Sequence, residues 1–139
     1  IIYMEKKWCC YIIENNGYTY CGASNDAMRR LRCHNGEIKG GSKYTTSKGN
    51  GWKIVCIIHG FPNKTTALQF AWSIKHIQPI HAGGVRSCIK KVMIVLNKEK
   101  WTCKSPYSST IILTLEWLIP EYRPNDISLP LTIIEKIKN

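Results

Sequence analysis

The sequence predicts a small α/β (α+β) domain: a three-stranded antiparallel sheet flanked by helices, in the order β-β-α-β-α. Three observations carry this prediction. Two runs rich in aromatic and β-branched residues flank an Asn-Asn-Gly turn at residues 15–17, the pattern of a hairpin. A third β-branched run lies at residues 52–59, after a stretch of Gly, Ser and Lys. Two further segments each open on helix-capping residues, at 24–26 and at 63–65.

The elements follow in order. Residues 8–13 and 18–23 are the hairpin strands. Residues 27–35 form a basic helix that ends before Gly36. Residues 37–51 hold four Gly and three Lys and read as a loop. The third strand spans residues 52–59. A turn at 60–63 leads into a helix capped by Asn63 or Thr65 and running to about residue 76. After a break at 78–84, residues 87–96 read as a helix with Ile89, Val92, Met93 and Leu96 on one face. Residues 111–118 are strand-like, and a short helix is expected at 131–137. The organisation is thus a core domain over residues 1–80 and an extension over 81–139.

The chain has 139 residues and a formal net charge of +11, from 20 Lys and Arg against 9 Asp and Glu. That imbalance favours a polyanionic partner, of which nucleic acid is the commonest. No apolar run is long enough to span a bilayer, and no long basic amphipathic helix suggests a membrane surface. The opening residues are not patterned like a secretory signal. Seven cysteines, with no C-x-x-C pair, argue against zinc and for reduced thiols inside a cell, in nucleus or cytoplasm.

Several polar and aromatic residues fall at suggestive places. Tyr11 and Tyr20 lie on paired strands and can share one face; on their own they read more readily as core or hairpin aromatics. Gly22 would let a substrate backbone come close. Arg30 can grip two phosphate oxygens at once, while Arg29 suits a backbone contact. His34 is one helical turn beyond Arg30 and projects from the same side. Lys39, Gly40, Gly41, Lys43 and Tyr44 form a basic, glycine-rich segment suited to a DNA backbone, with Lys48 and Lys75 widening that surface. Taken alone, the segment reads equally as a flexible, solvated loop. Lys90, Lys91, Lys98, Lys100 and Lys104 make a second cluster, which could hold a distal duplex arm or be only the solvated face of a helix, the reading slightly favoured.

Taken together these pieces resemble the GIY-YIG nuclease family, and within it the catalytic subunits of Slx-type structure-selective endonucleases. Cys9-Cys10-Tyr11 stands for Gly-Ile-Tyr, and Tyr20-Cys21-Gly22 for Tyr-Ile-Gly. Arg29-Arg30, His34-Asn35-Gly36 and the segment 39–46 match further motifs. The helix reads Ala67-Leu68-Gln69-Phe70-Ala71-Trp72 where the family has a Glu at the position of Ala71. The resemblance implies that Tyr11 acts as general base or its helper, and that Tyr20 orients water or phosphate. Arg30 would hold the transition state, and His34 would position the attacking water. The missing Glu would bind Mg²⁺ or Mn²⁺, so Ala71 marks a metal site without its ligand. Loss of metal assistance should cost roughly a thousandfold or more in rate.

The expected activity is therefore metal-dependent cleavage of phosphodiester bonds in branched DNA: flaps, forks and four-way junctions. Such substrates are read by shape and backbone, so branched or double-stranded DNA is the expected partner. Paired cuts would need a homodimer or a second binding event. Two origins fit Ala71: a deliberate Glu-to-Ala substitution, favoured by the intact neighbouring motif, or a natural inactive homologue that binds branched DNA. A site-specific homing-type nuclease is a third reading, without a visible sequence-reading segment after residue 76. The zinc-binding RING-like domain of the Slx-type subunits has no counterpart ligands in these residues, and a compact version of this kind would suit a large DNA virus.

Overall fold

The computed structural model describes residues 7–80 and 83–139. Strand β1 (Trp8–Asn15) turns at Asn16 and Gly17 into β2 (Tyr18–Ser24). Both turn residues have positive φ, 49° and 86°, as a tight two-residue hairpin turn requires. Helix α1 (Ala27–His34) is capped by Asp26, whose Oδ1 accepts from Arg29 N at 3.1 Å. Helix α2 (Lys43–Ser47) precedes β3 (Lys53–Phe61). Helix α3 (Lys64–Lys75) is capped by Asn63, whose Oδ1 accepts from Thr66 N at 2.9 Å. Helix α4 (Val85–Leu96), β4 (Leu113–Trp117) and β5 (Ile133–Ile137) complete the order.

The sheet is mixed, with five strands in the order β2-β1-β3-β4-β5. The first four pair antiparallel, and β5 runs parallel to β4. Strand alternation gives the sheet two buried faces. On one face Cys10, Ile12, Cys21 and Ile58 pack with Phe70 and Ile74 of α3 and Ile89 and Val92 of α4. Phe61, Phe70 and Trp101 meet there with ring centres 5.1–5.4 Å apart. On the other, Cys9, Tyr11, Ile13 and Ile57 pack with Ala27 of α1 and with Trp52. The cysteines are free and mostly buried, acting as small apolar residues.

The structure corrects three expectations. The sheet has five strands rather than three, because residues 113–117 and 133–137 extend it past β3. The predicted helix at 131–137 is instead β5. Its backbone pairs with β4 in the register Leu113↔Ile133, and Glu135 takes hydrogen bonds from Trp117 Nε1 (2.8 Å) and Arg123 Nε (2.7 Å). Parallel pairing to a strand some 20 residues away leaves no local periodicity to read. The loop at 37–51 contains α2, a single turn opened by Ser42, whose hydroxyl accepts from Thr45 N at 3.1 Å.

Candidate active site

The hairpin pairs Tyr11 with Gly22 and Ile13 with Tyr20, so both tyrosines and the glycine lie on the α1 face of the sheet. Gly22 is needed for a different reason from the one its motif suggests. A Cβ there would sit 2.5 Å from Tyr11 Cζ. The space is filled by the Tyr11 ring, and Gly22 is buried beneath it.

Tyr11 is 1% exposed, and its hydroxyl lies 2.8 Å from His34 Nε2. The other ring nitrogen of His34, Nδ1, is 2.8 Å from Thr45 Oγ1. Thr45 is itself held by Ser42, and its carbonyl accepts from Trp52 Nε1 at 3.0 Å. A continuous chain of polar groups thus runs Tyr11–His34–Thr45–Ser42 through a buried space. Tyr20 flanks it, with its ring centre 4.8 Å from that of His34 and 6.5 Å from that of Tyr11.

Burial sets the protonation states. It pushes the Tyr11 phenol well up, against the pull of the Arg30 guanidinium, so the phenol stays protonated at neutral pH. Burial, and then the positive charge of Arg30, bring His34 down to about 4, so the imidazole is neutral. Arg30 is half-buried and donates from Nη1 to the Gly40 carbonyl at 2.8 Å, tying α1 to the glycine-rich segment. Gly40 has φ 119°, and a Cβ on Gly41 would meet the Cys33 carbonyl at 2.5 Å, so both glycines let this segment lie against α1.

Around the polar chain is an aromatic and cationic rim. Tyr44 stacks on Tyr20 with centres 6.4 Å apart, and Lys48 Nζ lies 4.2 Å from the Tyr18 ring centre and 5.5 Å from that of Tyr44. Lys75 Nζ is 5.5 Å from the Tyr20 ring centre. Arg29, Lys39 and Lys43 are exposed on α1, on the glycine-rich segment and at the start of α2.

Ala71 stands apart. It is 3% exposed and buried with Cys10 and Cys21, which alternate with Tyr11, Tyr20 and Gly22 and so face the opposite side of the sheet. Lys75 shows how position 71 connects to the tyrosines. It lies one turn further on the same stripe of α3, and its side chain rounds the β2 edge to reach Tyr20. The methyl group packs among these apolar neighbours and offers no donor atom. Among the described residues no group of three or more His, Cys, Asp or Glu could hold a metal ion. The residues present do not fit the divalent metal that the motif implies.

The family described as "GIY-YIG catalytic domain" matches residues 7–77, more than half of the chain. The chain belongs to this GIY-YIG family. The matched residues include β1, β2, α1, α2, β3 and α3, and with Ser42, which caps α2, every residue of the polar chain. Among relatives, the "Structure-specific endonuclease subunit slx1" of Schizosaccharomyces japonicus is 36% identical over 113 residues, covering 68% of this chain and 41% of that protein. The protein of the same name from Schizosaccharomyces pombe is 44% identical over 75 residues, 50% of this chain and 27% of its own length. A "Structure-specific endonuclease subunit SLX1 homolog" of Leishmania major is 41% identical over 73 residues, 49% of this chain and 10% of its own. The chain spans less than half the length of these curated relatives.

Sequence reasoning missed Thr45, Ser42 and Lys91. Thr45 and Ser42 lie within the segment read as a loop, and the Ser-x-x-Thr spacing of a capped turn was the available signal. Lys91 was assigned to a solvated helix face. It is 8% exposed, and its ammonium donates to the carbonyls of Pro79 (2.7 Å) and Ile80 (3.3 Å).

Proposed function

We propose that this chain is a GIY-YIG endonuclease domain acting on branched DNA (flaps, forks and four-way junctions), silent in cleavage because Ala71 stands at the metal-binding position. The observation that carries the reading is the buried Tyr11–His34–Thr45 chain flanked by a rim of tyrosines and lysines.

The chain suits proton removal from water at a phosphodiester. In one assignment Thr45 donates to the Ser42 carbonyl, His34 Nδ1 donates to Thr45, and Nε2 accepts from the Tyr11 phenol. Tyr11 is not a free base at neutral pH. It can take a proton from water only as its own passes to Nε2, which a neutral imidazole permits. Arg30 supplies charge for the phosphate oxygens, and Tyr20 walls the site. Lys39, Lys43 and Lys48 hold the backbone, and the chain-wide charge of +11 attracts it. In the active form, a carboxylate at position 71 would hold Mg²⁺ or Mn²⁺, which would neutralise charge on the phosphate.

The test compares this chain with Ala71→Glu on labelled flap, fork and four-way-junction DNA, in Mg²⁺ and in Mn²⁺. Cleavage by Ala71→Glu alone, with a gain of about a thousandfold or more, supports a disabled nuclease. A second reading, a natural branched-DNA-binding module, is favoured by the same alanine. It prevails if neither form cuts and both bind junctions tightly. Absence of both cutting and junction binding refutes the two together.

A further inference from the structure

On the same edge of the sheet as Tyr20 lies a pocket of about 270 Å³, bordered by Thr19, Tyr20, Lys75, Cys88 and Lys91. Two cations line it. Lys75 comes from the stripe of α3 that carries Ala71, and its Nζ reaches the Tyr20 ring. Lys91 comes from α4 and is nine-tenths buried. Burying an ammonium is costly unless its protons are bonded. Two of the three are taken by the Pro79 and Ile80 carbonyls, and among the described residues no partner takes the third. No carboxylate among the described residues pairs with either lysine. Two unneutralised ammonium groups, a threonine and a tyrosine around one small hollow, walled also by Cys21, Ile74 and Ile80, are complementary to a phosphate.

We infer that this pocket is a seat for a DNA backbone phosphate beside the reacting one, in which Lys75 and Lys91 supply the positive charge that position 71 no longer gathers. The inference rests on the branched-DNA reading and adds a specific site to it. DNA binding then proceeds without divalent cations. A carboxylate at position 71 would work against it, since a Glu one turn before Lys75 pairs with that lysine.

The experiment is fluorescence-anisotropy binding of a labelled four-way junction to the full chain in EDTA, at salt from about 50 to 200 mM, where each phosphate contact makes affinity fall about 3.5-fold. The variants are Lys75→Met, Lys91→Met and Lys91→Arg, with Lys104→Met as a control remote from the pocket. The seat predicts that Lys75→Met and Lys91→Met each bind several-fold more weakly, and that each removes about one contact from the salt slope. Lys91→Arg keeps the slope, and Lys104→Met leaves both quantities unchanged. Thermal unfolding of Lys91→Met separates lost charge from lost fold, and Lys75→Met, on an exposed side chain, carries the test if that variant is unstable. Ala71→Glu should bind more weakly in EDTA and regain affinity in Mg²⁺. Junction binding with unchanged affinity and slope in Lys75→Met overturns the seat and leaves the wider reading standing. No junction binding by the unaltered chain overturns that wider reading itself.

Discussion

Lowering the pH should destabilise this domain through one residue, His34, by an amount the structure sets. The imidazole is 1% exposed and wedged between Tyr11 and Thr45, with its folded-state value brought down to about 4 against the ordinary 6.5. Between those values the unfolded chain binds a proton that the folded chain refuses, so stability rises with pH across this window. It is complete above about pH 6.5 and is lost as pH falls toward about 4. At about 1.4 kcal/mol per unit, the loss at about pH 4.5 is about 2.5 kcal/mol.

The assay is urea unfolding at about pH 7.5 and about pH 4.5, for this chain and for His34→Gln. Carboxylates titrate in both proteins, so their contributions cancel in the difference. His34→Gln removes the titrating ring and should be the less stable protein at neutral pH, where it loses buried hydrogen bonds. On acidification the gap between the two should close by about 2.5 kcal/mol, or about 1–2 M in urea midpoint at a typical slope. A gap that stays constant across the two pH values refutes the claim that His34 is held neutral by burial.

Other perturbations have equally direct readouts. Thr45→Val leaves His34 Nδ1 without its partner and should cost about 1–3 kcal/mol in thermal or urea unfolding. Gly22→Ala drives a methyl into the Tyr11 ring, so junction cleavage by the Ala71→Glu form should fall at least about tenfold, one ångström of misplacement being costly. Glu135→Ala removes the acceptor for both Trp117 and Arg123 and should cost about 1–3 kcal/mol, with amide exchange of β4 and β5 rising first. That carboxyl is held below its ordinary range, first by Arg123 and also by Trp117. Its contribution is therefore full at neutral pH and lost as acid protonates it, in a range below that of His34.

The parts of the fold legible in the sequence are those specified by neighbours along the chain. The hairpin announces itself through Asn16-Gly17, and α1 and α3 through Asp26 and Asn63, because turns and caps are local chemistry. β5 was illegible for the opposite reason. Residues 131–137 are apolar and short, compatible with a helical turn until Trp117 and Arg123 claim Glu135 from the side. α2 has a single turn, too brief for a periodicity. At the site, the residues of the motif were legible as identities, but their physical jobs were not. Gly22 is small for Tyr11, and His34 answers to Thr45 as much as to Arg30. The Tyr11–Gly22 and His34–Thr45 relations each join residues eleven apart, which spacing within one element cannot express.

The relation between positions 71 and 75 follows from helix geometry and gives the alanine a consequence beyond a missing ligand. On α3 the two share a stripe, and the stripe leads round the β2 edge to Tyr20. A carboxylate at 71 and the ammonium at 75 would attract each other, Glu preceding Lys being the favoured order, by about 0.2–0.5 kcal/mol on an exposed helix and more where partly buried. A divalent ion arriving at the carboxylate of the Ala71→Glu form would have to displace Lys75 or share that carboxylate with it. The charge at 75 therefore tunes how tightly the restored form holds its ion. Lys75→Met placed on the Ala71→Glu background should lower the Mg²⁺ concentration needed for half-maximal cleavage, while the same change with Ala71 retained only weakens DNA binding. Measured as junction affinity in Mg²⁺ on both backgrounds, an effect of Lys75→Met that differs between Ala71 and Ala71→Glu is a coupling between the sites. If Lys75→Met shifts neither the Mg²⁺ requirement nor junction affinity, the stripe does not join position 71 to the tyrosine face, and Ala71 is only a core residue.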